Sequence, residues 1–213
     1  KATDLASQVF GDWVKDLKFF HFRRITHEGI PLVLSRSGWS KQGGFELFLE
    51  DETKGEQLWD LIWEAGQQFG IRAGGPNNVE RVENFLFSWG SDATRDCDPY
   101  ESGIGKYVDL GVEHDFIGKA ALKNKRVEGP DRELKGLLID GEPLAPNPAP
   151  VGLRNPNGSY AGQTRIICYS PKYQRNLGLA VIEVPQNLPG TKVQVETIDG
   201  WRPATVADLP FDL

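Results

Sequence analysis

Ser35-Arg36-Ser37-Gly38-Trp39-Ser40-Lys41-Gln42-Gly43-Gly44-Phe45-Glu46-Leu47-Phe48-Leu49-Glu50 runs from a glycine-punctuated turn into a strand with strict alternation. Phe45, Leu47 and Leu49 share one face and read as core, while Glu46, Phe48 and Glu50 share the other. The second face sets a carboxylate beside an aromatic ring, with Trp39 and three glycines just upstream. A carboxylate accepts two parallel hydrogen bonds from a flat N–C–N edge, a neighbouring ring stacks on the same flat group, and glycines let it approach the backbone. That combination suits a pterin or another aminoheterocycle. The competing reading is an ordinary tight turn into an edge strand with a solvated Glu46.

On the N-terminal side, Leu5, Val9, Phe10, Trp13, Val14 and Leu17 recur near helical period, which predicts a helix over 3–18 capped by Thr3 or Asp4. Residues 19–24 and 30–37 read as strands joined by a polar turn at 26–29. On the C-terminal side, 56–69 reads as a helix with Leu58, Leu61, Ile62 and Ala65 inward and Gly70 as its C-cap. Helices packed on one sheet make an α+β sandwich. His21 and His27 are expected on the surface or on strand faces.

Asn77 or Asn78 caps a further predicted helix over 78–88, in which Val79, Val82, Leu86 and Trp89 share a face. Arg81 and Glu83 on its polar side read as a surface or interface ion network. Residues 123–132 are charged, with Gly129 and Pro130, and mark a boundary between domains at 1–122 and 123–213. Beyond it, short strands at 134–139, 150–154, 160–169, 177–184, 192–198 and 204–207 alternate with Gly/Pro/Asn turns, the pattern of a small β-barrel or sandwich. Residues 140–150 hold four prolines and read as a rigid loop.

With 213 residues, net charge −6 and a pI of about 5.2, the chain has an ordinary globular balance that argues against wholesale binding to nucleic acid or an anionic membrane. No apolar run approaches a membrane span. Cys97 and Cys168 read as free thiols, and His21, His27 and His114 lack metal-ligand spacing, so no metal site is expected and a cytoplasmic location is. The chain contains no methionine and opens on Lys1-Ala2-Thr3-Asp4, which reads as a piece of a longer protein.

Residues 38–46 resemble the Gly-Tyr-Thr-Gly-Glu-x-Gly-Phe-Glu signature of the folate-dependent aminomethyltransferase (glycine cleavage T-protein) family. Arg81, Glu83, Gly90 and Asp92 match its Arg-x-Glu…Gly-x-Asp segment. Residues 98–105 resemble its Pro-x-Glu-x-Gly-Leu segment, and Asp115-Phe116-Ile117-Gly118…Leu122 matches its Asp-Phe-Ile-Gly-x-x-x-Leu. Gly158, Gly162, Ser170-Pro171, Asn176, Pro189-Gly190-Thr191 and Pro210-Phe211 fall where the family's C-terminal barrel has its own marks. The resemblance covers essentially the whole chain as the C-terminal part of a longer protein. The fold it implies is the end of a folate-binding region, ferredoxin-like and αβ, followed by a distorted C-terminal β-barrel.

Trp39, Ser40-Lys41-Gln42 and Trp89-Gly90-Ser91-Asp92 look closer to the family's dimethylsulfoniopropionate demethylase branch. The resemblance then implies a tetrahydrofolate-dependent methyltransferase, with tetrahydrofolate as methyl acceptor and a small-molecule methyl donor. Dimethylsulfoniopropionate would be demethylated to methylthiopropionate with formation of 5-methyltetrahydrofolate. The pterin-edge glutamate carries over to Glu46 and its aromatic neighbour to Phe48, with Trp39 and Arg81 as further folate-site candidates; no catalytic residue is assigned. Asn77 and Asn78 stand where the family has Arg-Asp, which argues against the aminomethyl mode. Two alternatives stand beside this expectation. One is aminomethyl transfer of the glycine cleavage type or another folate-dependent O-/N-demethylation; the other is a non-catalytic folate-binding regulatory protein. A homodimer is the oligomeric expectation that goes with the branch.

Overall fold

A computed structural model of the chain describes residues 1–38, 43–75, 77–147 and 150–213. The packing divides it into two compact units, Lys1–Pro76 and Asn77–Leu213. The boundary expected between 122 and 123 lies inside a helix, α4 (Lys119–Glu128).

In the first unit the N-terminal apolar stripe forms α1 (Ala2–Phe10), but the helix does not continue to residue 18. Gly11 takes φ 97°, a backbone conformation foreign to a helix, and the chain resumes as a 3₁₀ turn, Asp12–Asp16. Val14 on that turn is still 1 % exposed, so the stripe survives the break. Neither Thr3 nor Asp4 is the cap; Lys1 holds that position and Asp4 lies in the first turn, where the helix dipole favours an acid.

Strand β1 (Phe22–His27) begins three residues later than expected, because Phe20 turns the chain at φ 62° and the His21 N–H bonds the Lys18 carbonyl. Glu28 and Gly29, both at positive φ, make a two-residue hairpin into β2 (Ile30–Ser35), which pairs antiparallel with β1 and with β3 (Glu46–Leu49). The sheet order is β1-β2-β3. Its inner face carries Ile30, Leu32 and Leu34, all 0 % exposed, packed with Phe10, Val14 and Leu58. His27 meets the Phe10 ring edge-on at 5.2 Å. Helix α2 (Gly55–Gly66) covers this face, and left-handed Gly70 ends the 3₁₀ turn that follows it, as its C-cap position predicts.

In the second unit, the Asn77 side chain accepts the Glu80 N–H at 2.8 Å and caps α3 (Asn78–Glu83). The helix stops well short of residue 88: Phe85 adopts φ 47° and the Leu86 N–H closes back on the Arg81 carbonyl. Trp89 therefore leaves the face it was expected to share with Val79 and Val82 and is 66 % exposed.

Six strands follow: β4 (Arg132–Ile139), β5 (Gly152–Arg154), β6 (Tyr160–Ser170), β7 (Arg175–Glu183), β8 (Lys192–Thr197) and β9 (Gly200–Ala207). They close as a barrel in the order β4-β7-β6-β5-β8-β9. The α+β class and the C-terminal barrel are thus as expected. Leu137, Ile139, Leu153, Ile182, Val195 and Val206 point into the barrel, while Leu177, Leu179 and Val181 on β7 point out, under Val82 and Phe211. That double coverage accounts for the continuous apolar run of β7. Gly162 on β6 has φ 145°, and a Cβ there would sit 2.2 Å from the Val181 carbonyl oxygen, so only glycine permits this approach.

Strand β9 starts earlier than expected and contains Pro203. Pairing with β4 covers only 204–207, so the missing N–H of Pro203 lies beyond that ladder. The proline-rich loop after β4 is held by one buried side chain. Asn176 accepts the Leu144 N–H at 2.8 Å and donates to the carbonyls of Gly141 and Glu142, each at 3.0 Å. Both cysteines are free.

Candidate functional site

The outer face of the three-stranded sheet carries the first group of candidates. Register sets Phe22, Ser35 and Glu46 in one row and Arg24, Val33 and Phe48 in the next. Alternation in β3 holds: Glu46 and Phe48 are exposed, Leu47 and Leu49 half-buried. Phe48 is 55 % exposed and Phe22, across β2 from Glu46, 70 %, so the face has little apolar cover. Glu50, also expected on this face, forms an ion pair with Arg24 at 2.9 Å.

A hydroxyl reaches Glu46 from just beyond β2. Ser37 Oγ donates to Glu46 Oε2, and Ser35 Oγ lies 2.8 Å from Ser37 Oγ. Arg36, between the two serines, donates from Nη1 to the Gly44 carbonyl at 3.2 Å and stacks over the Phe45 ring at 4.5 Å. This clamps the chain immediately before β3 and fixes where Glu46 enters the ladder. Trp39, together with Ser40, Lys41 and Gln42, lies outside the described residues.

Chemically, the face offers a carboxylate with acceptor capacity left over and an aromatic surface beside it. This set fits the N–H-rich edge and flat face of an aminoheterocycle. Phe22 and the two serines escape the sequence reading because it does not fix the strand register. The pairing of Phe22 with Ser35 and of Ser35 with Glu46 is what puts Phe22 and Ser35 on the face of Glu46.

Arg81 belongs to the other unit, and its surroundings differ from the surface network expected. It is 4 % exposed, and its Nη1 donates to both oxygens of Asp92, at 2.7 and 2.6 Å. Asp92, 1 % exposed, also accepts the Ser88 N–H at 2.8 Å. Glu83, 9 % exposed, accepts from Ser170 Oγ at 2.5 Å, and that oxygen takes the Tyr173 N–H at 3.0 Å. Nearby, burial and then the charge of Glu83 push the Cys168 thiol up to about 11, against a smaller opposing pull from Arg81, so it stays protonated and inert at neutral pH. Through Nη1, Arg81 ties Asp92 and so helps close the 84–92 turn, which carries the exposed Trp89.

Comparison with known proteins agrees with this architecture. Residues 1–111 match the family described as the GCVT N-terminal domain, and residues 132–212 match the glycine cleavage T-protein C-terminal barrel domain. The chain is 42 % identical over 209 residues to the dimethylsulfoniopropionate demethylase DmdA of Ruegeria pomeroyi, covering 98 % of this chain and 56 % of that protein. It is 32 % identical over 216 residues to an aminomethyltransferase of Bacillus cereus, covering 99 % and 57 %. It thus spans little more than half the length of these relatives. The crystal structure of the glycine cleavage system aminomethyltransferase T from Bartonella henselae superposes on the whole chain, and on 57 % of its own, with a TM-score of 0.80 at 20 % identity, a likeness of fold. Matched over both of its successive regions, the chain belongs to the glycine cleavage T-protein family.

Proposed function

We propose that the chain is part of a tetrahydrofolate-dependent methyltransferase that demethylates dimethylsulfoniopropionate, giving methylthiopropionate and 5-methyltetrahydrofolate. The observation that carries the folate assignment is Glu46 beside Phe48 on an open sheet face, in a chain of this family. The likeness to the Ruegeria pomeroyi demethylase supports the choice of donor.

On this reading tetrahydrofolate is a substrate that supplies the nucleophilic nitrogen N5. A bond forms from N5 to the methyl carbon as the carbon–sulfur bond breaks. The electron pair stays on sulfur, leaving a neutral thioether, and the N5 proton goes to solvent. Glu46 holds the amino edge of the pterin, Phe48 covers its face, and an aromatic wall, with Trp39 as candidate, favours the sulfonium cation. The protein's work is to align donor with acceptor and to keep water away. On this reading Arg81 supports folate binding through the turn it closes, not by contact with the ligand. The division at 122/123, a cytoplasmic location and a homodimer belong to the same proposal.

The test uses the full-length protein. Incubated with tetrahydrofolate and dimethylsulfoniopropionate, it should form 5-methyltetrahydrofolate and methylthiopropionate, identified by mass. Glu46→Ala should weaken tetrahydrofolate binding by about 1.5–3 kcal/mol, the scale of hydrogen bonds to a charged group. Bound folate without methyl transfer would retire the donor and move the search to aminomethyl donors, the second reading, which the Bacillus cereus relative favours. Against that reading, Asn77 stands in place of the family's arginine and its side chain is engaged in capping α3.

A further inference from the structure

We propose that Ser37, backed by Ser35, is a positioning residue that sets the orientation of the Glu46 carboxylate and thereby the affinity of the site for a flat amino-bearing heterocycle. The inference rests on the folate reading above and deepens it. Glu46 is exposed on a strand end, where a glutamate side chain has several rotamers open to it. In the structure it is not left to choose among them: Ser37 Oγ donates to Oε2.

A hydroxyl has one proton. With the Ser37 proton committed to the carboxylate, the 2.8 Å contact between the two serines must be a donation from Ser35 to Ser37. The chain Ser35→Ser37→Glu46 therefore has one direction and terminates on a single carboxylate oxygen. Oε1 carries no bond from a described residue and keeps its full acceptor capacity, while Oε2 retains a second lone pair. An amino edge can then take both oxygens at once without first freezing the side chain, which lowers the entropic cost of binding.

Backbone geometry supports the arrangement. Ser35 is the register partner of Glu46, and Ser37 lies two residues on, on the same side of the chain. Arg36 points away and ties Gly44, so the two serines and the glutamate are held to one another by ladder, clamp and hydroxyl chain together. Ser35 and Ser37 are both half-buried.

Titration of tetrahydrofolate into the full-length protein tests this, with thermal melts run in parallel. Ser37→Ala should raise Kd about three- to tenfold with an unchanged melting temperature, the scale of one net hydrogen bond. Ser37→Thr, which keeps the hydroxyl, should restore wild-type affinity. In a Glu46→Ala background, Ser37→Ala should add nothing further, because the residue it positions is gone. The proposal is overturned if Glu46→Ala weakens binding but Ser37→Ala does not, or if the effect of Ser37→Ala persists undiminished without Glu46. Failure of the folate reading itself looks different: the wild-type protein then shows no tetrahydrofolate binding at all.

Discussion

The two units treat their polar groups in opposite ways. In the barrel unit, several polar side chains that go inside find partners there: Arg81 with Asp92, Glu83 with Ser170, Asn176 with the 141–144 loop, while Arg165 Nε is buried without one among the described residues. Its strand β7 is covered on both faces, and closure leaves no free strand edge. In the sheet unit only one face is buried. The other shows Phe22, Phe48, Glu46 and Arg24 to the outside, with polar groups that keep acceptor capacity. A saturated interior stabilises a fold; an unsaturated face can bind something. The contrast predicts that mutations in the barrel unit act chiefly on stability and those on the open sheet face chiefly on binding, and it can be broken by mutation.

The largest effect is expected at the buried ion pair. Arg81→Met leaves Asp92 charged and enclosed with only neutral donors, the Ser88 N–H and the Ser91 hydroxyl, to hold it. Breaking one side of a buried pair costs about 3–5 kcal/mol. Urea melts should show this loss, and adding Asp92→Asn, which removes the charge but keeps an acceptor for Ser88, should recover part of it. A single-mutant cost under about 1 kcal/mol would place the pair in the range of surface bridges and end its claim to hold the 84–92 turn.

Next comes a matched pair of truncations, one per unit. Leu179 is 0 % exposed on β7, and Leu179→Ala should cost about 2–5 kcal/mol of stability. Phe48→Ala deletes a larger side chain, yet on its open face it should change stability by no more than about 0.5 kcal/mol. What it should lose instead is tetrahydrofolate affinity, by about 0.5–1.5 kcal/mol if the ring stacks on the pterin. Equal destabilisation by the two would mean that the sheet face is covered after all.

How much of this was legible beforehand follows from the same contrast. All six barrel strands are readable from sequence because apolar or alternating runs there are separated by turns rich in Gly, Pro and Asn. The alternation at 45–50 puts Glu46 and Phe48 on one face for the simple reason that a strand has period two. Gly11 was a visible warning that the first helix would stop, outweighed by an apolar stripe that continues across it. The ends at Phe20 and Phe85 were not visible: both take positive φ, and nothing about a phenylalanine announces that. Least legible was Arg81. On a helical wheel it lies with the polar residues. Its burial depends on Asp92, eleven positions away, arriving through a turn that the helix was expected to run straight past.

The smallest effect should separate the units by pH. Asp51 follows β3 and caps the turn into α2. Its Oδ1 accepts the Thr53 hydroxyl at 2.7 Å and the Thr53 N–H at 3.0 Å. These bonds, the hydroxyl first, hold its carboxyl below the ordinary carboxylate range. A lowered value in the folded state means that the charge stabilises the fold above the unfolded value, and that this contribution is lost as pH falls through the folded one. Asn caps nearly as well as Asp but carries no charge, so Asp51→Asn isolates the ionic part. The variant should be slightly less stable than wild type at about pH 7, and the gap should close as pH falls through the lowered folded value. Urea melts at neutral pH and through the acid range read it directly. A gap that stays constant would show that the acidic form of Asp51 serves the cap as well as the charged one, and would take the acid sensitivity of the sheet unit elsewhere.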